Sequence, residues 1–167
     1  MYDIKKFSPC QKGLEWYEKQ PDEKTAWAKC NRGDWMLWIA NRLGVDERKF
    51  FLTKGKCANI VRHLMKDKRS RDAVDAAIAY GEGRITKEEL NICAYDAYIA
   101  ASTAADAAST AADAAYTAAY AAAAAADDAD DAASYAAAAA AYAGNRKKTA
   151  GICREYLTEE IGKILKW

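Results

Sequence analysis

STAADAASTAADAAYTAAY, residues 102–120, repeats its pattern every seven residues and consists mostly of alanine with interspersed aspartate. It lies inside residues 94–143, which contain 30 alanines and seven aspartates but no lysine, arginine, glycine or proline. Because alanine has the highest intrinsic helix propensity, this composition predicts helix throughout the segment. No part of the chain alternates apolar and polar residues over a length that would indicate a β-strand. We therefore predict an all-α fold, a compact helical bundle with a long alanine-rich helix or helical hairpin.

The side chains of this segment divide into two faces on a helical wheel. The tyrosines fall within an arc of about 100°, and the opposite side is almost entirely alanine. A smooth alanine face lets another helix approach closely, and the seven-residue spacing of Thr103, Thr110 and Thr117 is typical of helix pairing. We interpret the segment as packing material for a helical core. The tyrosines on the shared face are Tyr95, Tyr98, Tyr116, Tyr120, Tyr135 and Tyr142.

The length of the alanine-rich segment predicts a break within it. An unbroken helix over 87–143 would be about 85 Å long, which is too long for a compact domain of 167 residues. Four aspartates at 127–131 favour an interruption there, because aspartate is a poor helix-interior residue and a good cap. The predicted organisation is a single domain, 1–167, with a basic multi-helix part over 1–85, the alanine-rich helix or hairpin over 86–157, and a short terminal helix over 158–167 that begins at Thr158.

Capping residues and glycines predict the ends of the shorter helices. Side-chain oxygens of Ser, Thr and Asp satisfy the first backbone N–H groups of a helix, and glycine commonly ends one. Ser8 is predicted to cap a helix over 9–19, and a short helix follows around Trp27. The next helix is predicted to begin with Asp34 as its cap and to end at Gly44. A further helix starts at Asp46 with a possible break at Gly55, another ends at Gly81, and a Thr86–Glu89 capping box opens the alanine-rich helix.

Charge is unevenly placed along the chain, although the formal net charge is only +1. Residues 1–93 carry +5, residues 94–143 carry −7, and residues 144–167 carry +3. A basic body and an acidic helix can complement each other within one molecule. An external partner for either surface therefore needs a separate argument.

The cysteine and histidine content argues against a metal site or a secreted disulfide framework. Five cysteines are widely and irregularly spaced, no CxxC motif occurs, and His63 is the single histidine. The start of the sequence has no secretory signal, so we expect a cytoplasmic protein with free, mostly buried thiols. The charge-free stretches of the alanine-rich region, 114–126 and 132–145, are too short to cross a membrane. No cofactor is predicted.

Tryptophan and arginine residues near position 35 form a candidate binding stripe. Trp35, Trp38, Ile39 and Arg42 fall at positions i, i+3, i+4 and i+7, which is one face of a helix. Such tryptophans most often belong to a core. Tryptophan and arginine also dominate binding hot spots, and Arg32 and Arg42 flank the tryptophans, so the same stripe can line a pocket.

Residues 48–71 form a strongly basic segment that includes Lys54, Lys56 and Arg62. The segment holds nine Lys or Arg residues and one Asp. It can bind nucleic acid or a phosphate-bearing ligand. It can equally form a solvated face that contacts the acidic helix, and we favour this second interpretation. A glycine-rich phosphate loop is not present in the sequence.

Catalytic groups are poorly represented. One histidine cannot be combined with a particular serine or cysteine into a nucleophile–base pair on sequence grounds, and the paired aspartates lie in the alanine-rich segment, where capping and solubility explain them. We therefore expect a protein that is not an enzyme.

Two stretches carry a resemblance to a known family. SPCQKGLEWYEKQ and AWAKCNRGDWMLWIANRLG near the start are followed by the Ala/Tyr/Asp-rich segment and then by RKKTAGICREYL. Over roughly 8–44 and 86–157 the chain resembles small bacterial and phage proteins that are similar to immunity proteins of bacterial toxin loci, in the fifth immunity class. The resemblance implies an accessory protein that binds and neutralises a toxin or a defence component. It supplies no catalytic residues, and it does not cover the basic segment.

Three functional hypotheses follow from these observations. The first is a non-enzymatic immunity or phage-accessory protein that neutralises a protein partner. The second is a small-ligand binder that sequesters a nucleotide signal by aromatic stacking and phosphate contacts. The third is a structural helical assembly, with homo-oligomers formed through the alanine face. The candidate ligand- or partner-binding residues are Arg32, Trp35, Trp38, Arg42, Lys54, Lys56, Arg62, Tyr116 and Tyr120.

Overall fold

Helices joined by turns make up residues 1–65, 67–105 and 146–167, which are the residues that the computed structural model describes. These parts contain no β-strand, so the predicted all-α class and helical bundle are confirmed. Tyr116, Tyr120 and the predicted break near 127–131 lie outside the described residues.

The α-helices follow one another with short connections. A 3₁₀ turn at Lys5–Phe7 precedes the first helix, and a second one at Arg62–Leu64 follows the fourth. No helix within the described ranges combines the length and the apolarity that crossing a membrane requires. The helices are α1 (Gln11–Glu18), α2 (Glu23–Lys29), α3 (Gly33–Leu43), α4 (Glu47–Asn59), α5 (Lys68–Gly81), α6 (Lys87–Ala105) and α7 (Arg146–Leu165).

Several helix ends are fixed by the capping signals that the sequence predicts. The Asp46 carboxylate accepts a hydrogen bond from the Lys49 N–H at the start of α4. Thr86 and Glu89 form the expected reciprocal capping box at the start of α6, at 2.8 and 3.3 Å. Gly44 ends α3 with a positive φ of 68°, a conformation that glycine adopts without steric cost.

Two predicted N-terminal caps are wrong. Helix α1 begins at Gln11 and not at residue 9, and Ser8 adopts a left-handed conformation two residues before the extended Cys10. Helix α3 begins at Gly33, so Asp34 lies inside its first turn and does not cap it. The reason is a competing partner, because the Asp34 carboxylate accepts hydrogen bonds from the Arg32 guanidinium.

A separate terminal helix starting at Thr158 is also wrong, because α7 runs through this residue without interruption. The Thr158 hydroxyl donates to the Arg154 carbonyl, 2.6 Å away, within the same helix. It also accepts a hydrogen bond of 2.9 Å from the Trp27 indole N–H. Both hydrogen bonds satisfy the hydroxyl inside the helix, so it has no need to cap a new one.

Helix α4 is continuous through Gly55, so the possible break there is absent. This glycine instead allows α4 and α5 to approach closely. A Cβ at this position would lie 2.8 Å from Ile78 Cγ1 and 3.0 Å from the Ile78 backbone nitrogen. The small residue therefore serves helix packing, and the helix tolerates its weak propensity.

We expect Gly55→Ala to destabilise the protein by about 1–3 kcal/mol because the added methyl group overpacks the contact. Gly151→Ala in α7 is the matched control, since a Cβ there would meet no atom within 4 Å. The control should gain about 0.5–1 kcal/mol from helix propensity. Urea unfolding of both variants measures the difference, and equal stability of the two would contradict the close packing of α4 on α5.

The main core lies where α3 meets α7, with α2 and α4 completing it. Leu37 and Ala40 from α3 are fully buried against Cys153 and Leu157 from α7. The opposite side of α4 packs on α5 and α6 through Phe51, with Tyr80 and Leu90 in a second cluster. Helix α4 therefore connects the two clusters and has buried residues on both sides.

Three of the five thiols are part of the main core. Cys30, Cys57 and Cys153 are buried there, whereas Cys10 is exposed and Cys93 is half-buried. Burial raises the pKa of the Cys30 thiol to about 11. The pKa of Cys153 lies well above its usual value because its thiol hydrogen-bonds with Cys57 and is buried. Cys30 and Cys153 therefore stay as neutral thiols, and all three cysteines pack as small apolar side chains.

Candidate functional site

A cavity of about 320 Å³ opens beside the main core. All five tryptophans of the chain line it: Trp16, Trp27, Trp35, Trp38 and Trp167. The other walls come from the N-terminal segment, α1, α2, α3 and the end of α7. Its lining also includes Tyr2, Ile4, Cys10, Tyr17, Glu23, Arg32, Asp34, Ile39, Ile161 and Leu165. We call this space the tryptophan cavity.

The aromatic walls hold one another in place. The Trp16 and Trp35 rings lie 5.9 Å apart at an angle of 49°, and Phe7 meets Trp38 edge-on at 6.5 Å. Trp27 is fixed from behind by the hydrogen bond of its indole N–H to Thr158 on α7. Aromatic pairs at these distances add to the stability gained by burial, so the cavity is largely preformed.

Arg32 covers one aromatic wall as part of an ion pair. Its guanidinium lies 4.5 Å from the Trp35 ring centroid. Its Nε donates to Asp34 Oδ1 over 2.8 Å, and Nη2 donates to the other carboxylate oxygen. This hydrogen bonding is the main cause that raises the pKa of Arg32 further above its ordinary value. The positive charge is thus matched by an adjacent carboxylate and stays on the ring face.

The N-terminal segment closes another side of the cavity. The Tyr17 hydroxyl donates to the Tyr2 carbonyl over 3.0 Å, and the Tyr2 backbone N–H donates to Glu23 Oε1. The amino group of Met1 lies 3.7 Å from the same carboxylate oxygen. Burial is the first cause that raises the pKa of Tyr17 to about 12, so its hydroxyl stays a donor at neutral pH. Glu23 and Tyr17 therefore anchor the segment that carries Tyr2 and Ile4.

Most residues of the predicted tryptophan stripe line the cavity, but the last one, Arg42, does not. Arg32, Trp35 and Trp38 all line the tryptophan cavity, as does Ile39. Arg42 is exposed near the end of α3 and is not among the lining residues. Helical periodicity placed these side chains on one face, but the cavity wall includes Ile39 and Leu43 and leaves Arg42 out.

Lys54 lies in the packing between the helices and not at a binding surface. It is only 3% exposed, and its Nζ is 5.2 and 5.1 Å from the Phe50 and Phe51 ring centroids. The residues that the structure describes offer this amine no hydrogen-bond partner. Burial, with a smaller contribution from Lys87, lowers its pKa to about 8.

Lys56 and Arg62 are engaged with acidic residues of the same helical layer. Lys56 Nζ lies 3.7 Å from Glu82, and Arg62 Nη2 donates to Asp75 over 2.7 Å. Lys49 from the same basic segment pairs with Glu160 of α7 at 2.7 Å. Within the described ranges, the acidic partners of segment 48–71 thus belong to α5, its flanking turns and α7. Internal ion pairing, the favoured interpretation of this segment, thus occurs with these partners, whereas contacts of the segment with residues 106–145 lie outside the described residues.

The tryptophan cavity and the basic segment are separate features of the molecule. No described residue of 48–71 is among those that line the cavity. The nucleotide hypothesis requires stacking residues and basic phosphate contacts in one site. The described residues of the cavity and of segment 48–71 do not form such a site. The contribution of Tyr116 and Tyr120 to any site lies outside the described residues.

Sequence reasoning missed the parts of the cavity that come from the two ends of the chain. Tyr2 and Ile4 precede the first helix, Ile161 and Leu165 belong to the last turns of α7, and Trp167 follows that helix. The spacing of Ile161 and Leu165 at i and i+4 was an available signal for an apolar face on the terminal helix. Nothing local in the sequence pairs that face with Tyr2.

The described residues include no group of three or more histidine, cysteine, aspartate or glutamate side chains that could hold a metal ion. Comparison of the chain with models of known protein families, with curated proteins and with solved structures finds no match. The resemblance to immunity proteins, the protein-neutralising function and the helical assembly therefore stay predictions.

Proposed function

We propose that the protein is a non-enzymatic binding protein that holds a small organic molecule with a flat or apolar body in the tryptophan cavity. The observation that supports this proposal is the gathering of all five tryptophans around one space of about 320 Å³. These residues come from α1, α2, α3 and the segment after α7, so their convergence requires the whole fold.

The size and the chemistry of the cavity support a small ligand. Ligand pockets usually measure about 300–1,000 Å³ and combine apolar and aromatic walls with a few polar groups. Here the indole rings offer flat faces for stacking, and each buried aromatic contact contributes beyond its area. The walls are held by internal contacts, which reduces the ordering cost of binding.

The charges around the cavity support a ligand without phosphate groups. Arg32 is the arginine among the lining residues, and its guanidinium is committed to Asp34 and to the Trp35 face. No lysine occurs among the described residues that line the cavity. Phosphate recognition usually relies on unpaired arginine or lysine donors, so a nucleotide fits this site less well than an uncharged aromatic molecule does.

Tryptophan fluorescence tests the proposal directly, since every tryptophan of the chain lines the cavity. We expect flat apolar compounds such as indole and naphthalene derivatives to change the emission saturably and to raise the melting temperature. Trp35→Leu should weaken binding at least about tenfold, the loss of about 1.4 kcal/mol of contact.

Ile92→Ala is the matched control because Ile92 is exposed on α6, away from the cavity. It should bind like the unmodified protein. The proposal fails if no compound in the panel produces a saturable change, or if Trp35→Leu and Ile92→Ala bind equally well.

A further inference from the structure

We infer that the ligand of the tryptophan cavity is an organic cation, a substituted ammonium group on an apolar body, held against the indole faces with the Glu23 carboxylate as its counter-charge. This inference rests on the proposed function and names the chemical class of its ligand. It is carried by the charge balance of the lining residues, by the nature of the walls and by the cations that already lie on those walls.

The charge balance of the lining leaves one negative charge. Glu23, Arg32 and Asp34 are the lining residues that are charged at neutral pH. Arg32 and Asp34 neutralise each other through their hydrogen-bonded ion pair. Glu23 remains as the lining side chain outside that pair; it is 24% exposed, and the amino group of Met1, which does not line the cavity, lies 3.7 Å from its Oε1. A partly buried carboxylate attracts a cation more strongly than an exposed one because solvent screens it less.

Glu23 keeps one carboxylate oxygen available. Oε1 accepts the Tyr2 N–H and lies 3.7 Å from the Met1 amino group. Among the described residues, Oε2 has neither a hydrogen-bond donor nor an ion-pair partner. The carboxylate therefore already tolerates an ammonium group on one side and can meet a second cation on the other.

The walls themselves favour a cation over an anion. The face of an aromatic ring carries partial negative charge, and tryptophan is the strongest cation–π partner among the side chains. Aromatic enclosures with this property are a common way to recognise quaternary ammonium groups. Five indoles and two phenols, with the Glu23 carboxylate at their edge, give the same arrangement here.

Cations of the chain already lie on these rings. The Arg32 guanidinium rests 4.5 Å from the Trp35 centroid. Lys6 Nζ lies 4.5 Å from the centroid of Tyr2, another lining residue, and 5.0 Å from that of Phe7. The protein thus uses the outer parts of the same aromatic wall for cation–π contacts, and the cavity offers further ring faces of the same kind.

A set of three compounds of similar shape separates charge from shape. Phenyltrimethylammonium is the cation, tert-butylbenzene is its neutral counterpart, and phenylphosphonate is the anion. Titrations of the full chain, followed by tryptophan emission and calorimetry, should show the cation binding at least about tenfold more tightly than tert-butylbenzene, with phenylphosphonate the weakest.

Glu23→Gln tests the counter-charge while it preserves the shape of the side chain. We expect it to weaken binding of phenyltrimethylammonium about three- to tenfold and to leave the affinity for tert-butylbenzene unchanged, because the amide oxygen of glutamine can still accept the Tyr2 N–H that anchors the cavity wall. Glu18→Gln is the matched control, because Glu18 pairs with Lys5 on the surface and does not line the cavity. It should alter neither affinity, and thermal melting checks that both variants are folded.

The outcomes separate the two proposals. Equal or tighter binding of tert-butylbenzene, or tighter binding of phenylphosphonate, overturns the cation inference and leaves the cavity as a binding site. An equal loss for both compounds in Glu23→Gln, or the same loss in Glu18→Gln, also overturns it. If neither these compounds nor the flat aromatic panel binds, the proposed function itself is wrong.

Discussion

Replacement of Lys54 by methionine is expected to raise the free energy of unfolding at pH 7 by about 2–3 kcal/mol. The lysine is 3% exposed, and no described residue gives its ammonium group a hydrogen bond that would offset the loss of hydration. Contacts with the Phe50 and Phe51 rings compensate only in part. Methionine keeps the length and flexibility of the side chain and removes the buried charge.

The effect depends on pH in a defined direction. The unfolded chain keeps the proton of Lys54 up to its ordinary pKa near 10.5, whereas the folded protein releases it at a pKa of about 8. The unfolded state therefore binds more protons between these values, so the contribution of Lys54 to stability rises with pH across this range. Below about pH 8 both states are protonated and the full cost is present. The advantage of Lys54→Met should shrink towards zero as pH approaches 10.5.

Urea unfolding of the two proteins at pH 7, 8, 9 and 10 measures this difference. The comparison cancels groups that both proteins share, including the Cys30 thiol, whose raised pKa lowers stability as pH rises above about 9. Lys56→Met is the control, because Lys56 is half-exposed and pairs with Glu82. It should change stability by less than about 1 kcal/mol. A destabilised Lys54→Met variant, or a gain that does not vary with pH, would contradict the cost assigned to the buried amine.

The different environments of Lys54 and Lys56 could not be predicted from the sequence of the basic segment. Lys54 and Lys56 stand two residues apart in the same run of positive charge, and composition treats them alike. Helix α4 buries side chains on two sides, so Lys54 lies between phenylalanines while Lys56 reaches an acidic partner. The difference arises from the helices that pack on α4, and residues far along the chain supply those helices.

Local signals predicted helix ends only where no tertiary partner competes. Asp46 and the Thr86–Glu89 pair cap their helices as expected, because their side chains lie at exposed helix starts. Asp34 and Thr158 have the same chemistry but different roles, since Arg32 and Trp27 engage their oxygens. At Asp34 and Thr158 another side chain thus engages the oxygen that would cap a helix, whereas Ser8 fails as a cap because its backbone is left-handed and the helix starts later, at Gln11.

The candidate site was predictable only within one helix. The i, i+3 spacing placed Trp35 and Trp38 together, and the structure puts both on the cavity. Tyr2 and Trp167 complete the same space from opposite ends of the chain, and the sequence contains no pattern that joins them. Helical periodicity shows which residues share a face, whereas the residues that this face contacts depend on how the helices pack together.

Leu37→Ala is expected to destabilise the protein by about 2–5 kcal/mol. Leu37 lies on the side of α3 that packs in the core with Cys153 and Leu157 of α7, and it is fully buried. Truncation there removes apolar contacts and leaves a void between two long helices that cannot easily collapse. Ile39, two residues further along, lines the tryptophan cavity and is half-buried, so Ile39→Ala should cost only about 1 kcal/mol.

The same two variants separate stability from ligand binding. Leu37→Ala should leave the affinity for cavity ligands within about threefold, because Leu37 is not among the residues that line the cavity. Ile39→Ala should change that affinity by at least about tenfold, since it removes part of the wall. Chemical unfolding together with fluorescence titration measures both quantities. The interpretation would be wrong if both variants lost the same stability. It would also be wrong if Leu37→Ala changed the ligand affinity more than Ile39→Ala does.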